Sequence, residues 1–217
     1  MREIIIGNFR TISDWGCYTQ EGWILTAPEP KTKYIDIPGA DGKLDLTSVL
    51  TGIVNYGDRE FKATLFSPSY KSKEEWESLK AKITNAIHGQ KLRLILPDSP
   101  DHFLNARMSV EDFDITSPRA TLDISATCEP WRYKSTPTIE KKTINGTQTV
   151  SLENERKPAL ITIETNVALT VKFDKKTVAV PVGKTEILDF VLKQGTNSLS
   201  ITGTNATVTI TYQEASL

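Results

Sequence analysis

The sequence predicts a mainly β protein with one α-helix, and three observations carry that prediction. A single stretch, residues 72–89, has every mark of an amphipathic helix. Two runs, Arg59–Ser67 and Arg119–Cys128, alternate apolar and polar residues with the period of a half-buried strand. Beyond Lys134 the chain becomes threonine-rich and breaks into short apolar runs punctuated by turn residues. A lone helix must bury its apolar stripe against something, and here the only surface on offer is sheet.

The elements follow in order. Arg2–Ile6 is a short apolar strand closed by Gly7-Asn8. Trp15–Tyr18 and Trp23–Leu25 form two further strands, with Gln20-Glu21-Gly22 as a hairpin-like turn between them. Two prolines in Ala27-Pro28-Glu29-Pro30 exclude a central strand there. Lys33–Ile37 is extended, and Pro38-Gly39-Ala40-Asp41-Gly42 is a defined loop, its proline fixing one φ and its glycines free to take φ > 0. Leu44–Val54 lacks clean periodicity and is expected to form a long excursion or arm. Arg59–Ser67 places Phe61, Ala63 and Leu65 on one face.

Ser72 and Glu75 are spaced as a capping box, and Glu74, Glu75 and Glu77 favour the positive end of the helix dipole. Trp76, Leu79, Ile83, Ala86 and Ile87 form one stripe, and Gly89 sits where a left-handed cap residue is expected. Lys91–Leu96 and His102–Val110 are strands around the acidic turn Pro97–Asp101. Pro118 opens a strand whose Ala120, Leu122, Ile124, Ala126 and Cys128 share a face.

At Lys134 the composition shifts, with all four tryptophans before it, so the chain divides into domains 1–134 and 135–217. The second holds strands at Thr147–Leu152, Ala159–Glu164, Ala168–Phe173, Thr177–Val180, Thr185–Phe190, Asn197–Thr202 and Thr207–Tyr212. Asn145-Gly146, Gln194-Gly195 and Gly203-Thr204-Asn205 are among the breaks between them. Regular strands of this kind suggest a small β-sandwich.

The formal charge is −1, divided as 17 Lys/Arg against 19 Asp/Glu in residues 1–134 and 9 against 8 in residues 135–217. Neither part attracts nucleic acid or an anionic membrane by bulk charge. No apolar run is long enough for a membrane-spanning helix, and MREIIIGNFR lacks the longer apolar core of a signal peptide. The expectation is therefore a protein made in the cytoplasm.

Candidate chemistry is sparse. Cys17 and Cys128 are too few and too distant for a disulfide framework or a zinc site, and buried free thiols are expected. Asp98 and Asp101 lack the spacing of a calcium loop and suit a turn in which carboxylates cap their own backbone. His88 and His102 stand outside HExxH and GxSxG patterns, and His88 is expected in the last helical turn, at the negative end of the dipole. No phosphate loop or dinucleotide fingerprint occurs, and nothing singles out a pair of catalytic carboxylates. Catalytic, cofactor-binding and metal residues are accordingly expected to be none. A sugar platform needs exposed aromatic faces, whereas Phe173, Phe190 and Tyr212 fall inside strand patterns. An assembly subunit fits these absences together with the irregular arm.

Four segments, in order, resemble one family. IDIPGADGKLDLTSVLTG, residues 35–52, is similar to an element near the start of siphophage distal tail proteins. HGQKLRLILPDSPDHFLNARM, residues 88–108, resembles that family's helix exit, strand, acidic Asp-Pro turn and strand closing on an arginine, here Arg107. ATCEPWRYKST resembles its exit into the second domain, and ERKPALITIETN, around Pro158, the first strand of its C-terminal sandwich.

The resemblance implies an N-terminal tail-tube-like β-sandwich or split barrel with one helix and a hairpin, followed by a galectin-like β-sandwich. It implies a non-enzymatic virion protein at the tail tip, needing no cofactor and made in the host cytoplasm. Such proteins form a hexameric ring, sometimes back-to-back rings, joining the tail tube to tail-tip and baseplate proteins. The implied partners are the tail-tube protein, a tail-associated fibre or lysin protein, and baseplate or receptor-binding proteins; DNA only passes through, and no membrane is engaged. The lumen is expected to be neutral or acidic, since a basic one would hold DNA by its phosphates. Residues 43–58 are expected to supply one ring contact, and residues 135–217 are too short for an inserted sugar-binding module. The alternatives are another tail-tube or baseplate adaptor subunit, or a carbohydrate-binding accessory module.

Overall fold

The computed structural model describes residues 3–50, 52–68, 72–116 and 119–217, with the side chains of residues 20, 21, 112, 113, 115, 116 and 119 outside that description. The chain is mainly β with one helix and divides into two compact units, Met1–Arg132 and Tyr133–Leu217.

In the first unit the strands are β1 (Ile5–Ile6), β2 (Phe9–Arg10), β3 (Tyr18–Leu25), β4 (Tyr34–Asp36), β5 (Lys43–Asp45) and β6 (Arg59–Ser67). After helix α1 (Lys73–Ile87) come β7 (Lys91–Ile95), β8 (His102–Thr116) and β9 (Arg119–Lys134), the last running across the division into the second unit. The main sheet has the order β2-β1-β7-β8-β9-β6-β3. Its inward positions are those the alternation marked: Phe61, Ala63 and Leu65 on β6, and Leu122, Ile124, Ala126 and Cys128 on β9. Ile83 and Ile87 of α1 join that core, with Leu79 and Ala86 packed against it.

One expectation is corrected here. Gln20-Glu21-Gly22 is no hairpin turn; β3 runs through it, and its pairing with β6 shifts register between Thr19 and Trp23. Extra residues in one strand are absorbed as a bulge when the same partner continues on both sides. The first strand does end at Gly7-Asn8 as expected, and that turn leads into β2, pairing Ile5 with Arg10 and Ile6 with Phe9. The proposed starts at Arg2 and at Pro118 lie outside the described residues.

The second unit contains β10 (Thr138–Asn154), β11 (Ala159–Thr165), β12 (Leu169–Phe173), β13 (Lys176–Val180), β14 (Gly183–Leu192), β15 (Gly195–Tyr212) and β16 (Ala215–Ser216). The breaks at Asn145-Gly146 and Gly203–Asn205 are corrected as well, because both fall inside long strands. β10 pairs with β15 along nearly its whole length, with a register shift between Ile144 and Gly146. Asn205, opposite that irregularity, takes a positive φ of 51°. Past this kink the neighbour of β15 changes: Leu199–Thr202 pairs with β12, while Val208–Tyr212 pairs with β11. One bent ribbon thus serves both faces of a sandwich. Its inward residues, including Val150, Val171, Leu199, Ile201, Ile161, Ile163, Val208 and Ile210, make one core. A period-2 pattern cannot distinguish a kink that keeps its partner from a turn that loses it.

Candidate functional site

The helix-and-hairpin segment, where the sequence concentrates its histidines and paired aspartates, is built as scaffold. Ser72 Oγ accepts the Glu75 N–H at 3.3 Å, and Glu75 accepts the Ser72 N–H at 2.7 Å, completing the capping box. Trp76, Ile83 and Ile87 are buried. The exit is stitched to β8: Gly89 N–H donates to Met108 O at 2.8 Å, and Met108 N–H donates to Gln90 O at 3.0 Å. Arg107 Nη1 donates to Gly89 O at 2.8 Å. Gly89 has a φ of +72°, a conformation that side-chain-bearing residues avoid.

His88 is not in the last helical turn. It is the C-cap, with extended φ and ψ of −62° and 127°, and its Nδ1 accepts the Val110 N–H at 3.0 Å. The imidazole thus serves as a backbone acceptor that ties the helix exit to β8. The Pro97–Asp101 turn is closed by backbone bonds, Ser99 N–H to Leu96 O and His102 N–H to Ser99 O, while both aspartates are exposed. The turn thus rests on main-chain bonds rather than on the carboxylate caps expected of Asp98 and Asp101. Among the described residues no group of three or more His, Cys, Asp or Glu is placed to hold a metal ion.

Both cysteines are free and buried. Burial, outweighing the nearby Arg59, pushes the Cys128 thiol up to about 12, so it carries no thiolate for nucleophilic work at neutral pH. Phe173, Phe190 and Tyr212 are buried in the second unit's core, the two phenylalanines edge-to-face at 5.8 Å. The face of Tyr133 is covered by Lys157 Nζ, 4.3 Å from the ring centre. None of the three core rings offers an open face for a sugar.

A buried polar cluster in the second unit centres on Glu214. Glu214, almost fully buried, receives Lys134 Nζ at 2.7 Å and the Thr138 hydroxyl. Glu155 lies 3.7 Å from the same ammonium. Burial pushes the Glu214 carboxyl up, but bonds from Lys134 and Thr138 outweigh it and hold it below the ordinary range. Lys134 is raised in return, chiefly by its bond to Glu214. This ties the first residues of the unit to the segment between β15 and β16.

What remains exposed and unexplained is the arm. Lys31 N–H donates to Asn55 O and Gly57 N–H to Glu29 O, both at 2.8 Å, so the chain leaves and re-enters the unit at one point. Between them β4 and β5 form a separate two-stranded ribbon with Tyr34 opposite Asp45 and Asp36 opposite Lys43. Tyr34, Ile35, Ile37, Leu44, Val49, Leu50 and Ile53 are all exposed, Leu50 at 97%. The arm is wider than residues 43–58: it includes Lys33–Ile37, while Tyr56 bridges Pro30 and packs edge-on against Trp131 at 5.6 Å, within the scaffold. An apolar projection of this size on one chain marks an interaction surface.

Sequence reading missed one feature, a cleft of about 260 Å³ between β3, β7 and β8 lined by Trp23, Leu25, Leu94, Leu96, Phe103 and Arg132, among others. Nothing in the local pattern of EPWRYK signals that Arg132 returns to that place.

No protein-family model matches the chain, and no curated protein matches it in sequence. Among solved structures, it is similar to the Dit (gp 19.1) protein of SPP1, described as a paradigm of the hub adsorption apparatus of phages that infect Gram-positive bacteria. That likeness covers 100% of both chains with a TM-score of 0.68 at 13% identity. The chain shares the fold of that protein from end to end.

Proposed function

We propose that this chain is a distal tail protein, a structural subunit of the hub at the tip of a long non-contractile phage tail. The observation that carries this reading is the end-to-end likeness to SPP1 Dit, both units included, in a chain whose four family-like segments occur in order. The first unit forms the belt of a hexameric ring and the second, a galectin-like sandwich, faces outward. The ring joins the tail tube above to a fibre or lysin protein below and to baseplate or receptor-binding proteins outside. Its near-neutral charge suits a channel that lets DNA pass without holding it.

A closed ring needs a heterologous interface, two different surfaces related by a fixed rotation. The exposed arm supplies one of them. Electron microscopy of the purified chain tests the assignment: uniform rings with a central hole are expected. A population of single subunits at all accessible concentrations would remove the ring from this reading.

A further inference from the structure

Arg59 is almost fully buried, at 3% exposed, yet among the described residues it has no ion pair and its Nε has no acceptor. It begins β6 opposite Cys128, and Arg132 lies on β9 four residues beyond that cysteine. Burial, and after it the charge of Arg132, push Arg59 down from its usual range. The Nε of each is buried with no acceptor.

Asp58 sits near Cys128 but forms no ion pair with Arg59, and Asp98, exposed at the rim of the Arg132-lined cleft, forms none with either arginine. A cation whose Nε is buried without an acceptor is costly unless an anion completes its site, and Arg132 lines a cleft into which one can reach. Guanidinium donors fit a carboxylate geometrically, and the apolar walls beside Arg132 strengthen such a bond by excluding water.

The same unit displays what the site lacks. The arm carries exposed Asp36 and Asp41 among exposed Ile35, Ile37 and Leu44. Asp36 has only a loose contact to Lys43 at 3.9 Å, with both side chains largely in solvent. Asp45, by contrast, already caps Thr47 N–H at 2.8 Å. We propose that Arg132 is the carboxylate-binding residue of this cleft and takes Asp36 or Asp41 from the arm of a second copy of this chain, with the arm's apolar residues packing along the cleft. Arm and cleft are different surfaces of one unit, so the contact is heterologous and propagates from copy to copy. This proposal rests on the ring reading above and names the two surfaces that close it.

The test uses two full-length variants, Arg132→Glu and the double substitution Asp36→Lys with Asp41→Lys, both at solvent-reachable positions that spare the core. Folding is checked by circular dichroism and assembly by multi-angle light scattering over a concentration series. Each variant alone is expected to remain folded while its assembly midpoint rises about a hundredfold, the scale of like charges placed together in an interface. Mixed in equal amounts, they are expected to regain rings, because glutamate then meets lysine at one contact and arginine meets aspartate at the next. Rings of wild-type size and midpoint from Arg132→Glu alone would overturn the contact and leave the ring reading standing. A wild-type chain that never assembles would overturn both. If both variants lose rings and the mixture does not restore them, Arg132 and the arm do not meet.

Discussion

Glu214 shows how a single carboxylate can hold a terminus. Its bonds to Lys134 and Thr138 depress its proton affinity in the folded state against the upward push of burial. A depressed carboxylate adds stability above its unfolded pKa, and that stability is lost as pH falls through the folded value. The melting temperature should therefore decline as pH falls below about 4.5, the ordinary glutamate value. The Glu214→Gln variant should be destabilised by about 1.5–3 kcal/mol at pH 7, the usual scale for charge-assisted hydrogen bonds. It should also flatten that acid limb, which thermal melts from pH 7 to 3 will read. Lys134 gives the opposite sign: raised above 10.5, it contributes below that value and loses its contribution as pH rises beyond it. At Cys128 the buried thiol, pushed up to about 12, should resist alkylation in the native protein and react within minutes in denaturant. Rapid native labelling of Cys128, read by mass spectrometry, would contradict its burial. Reductant should leave the melting temperature unchanged, since both cysteines are free.

At the scale of elements, the helix and the arm are opposites. The helix is specified several times over, by its capping box, its apolar stripe and the Gly89 exit, and each signal operates within a few residues. Truncating Ile83, which has no exposed surface, to alanine should cost about 2–5 kcal/mol in urea melts. The arm holds together through a three-residue ladder and contributes nothing to either core. Replacing residues 33–53 with a short Gly-Ser linker should leave the melting temperature within about 2 °C of wild type, as expected where no core contact is lost. The same variant should abolish rings in light scattering; rings of unchanged size would reject the arm as a subunit contact. The replaced segment stops short of Tyr56, because that ring packs on Trp131 and its loss would damage the scaffold as well.

For the whole molecule, the placement of the boundary has consequences. Composition puts it after Lys134, but Lys134 N–H donates to Glu214 O at 3.1 Å, and Lys157 Nζ donates to Tyr133 Oη at 2.5 Å. Both residues are bonded into the second unit, so we place its start at Tyr133. A fragment 133–217 should unfold cooperatively, and a fragment 135–217 should melt lower because Glu214 is left buried without its cation. Equal melting temperatures for the two fragments would reject that placement.

Much of this protein was legible locally. Fold class, the helix with both ends, the inward faces of β6 and β9, the buried thiols and the core aromatics all follow from periodicity and capping, which act over a few residues. Their physical basis is that a half-buried strand or helix writes its own solvent boundary into the sequence. The mistaken breaks at Gly22, Gly146 and Gly203 share another cause. A glycine or a polar residue permits a kink, but whether the strand stops depends on a partner far away in the chain. The same distance explains the Arg132 cleft, whose lining residues are separated by most of the first unit's length. Sequence alone determined which residues face inward and that one helix would lie on sheet. Tertiary structure alone decided which strands continue through their kinks, and that Arg132 lines a cleft with residues of β3, β7 and β8, because both depend on pairings between segments that carry no local mark of each other.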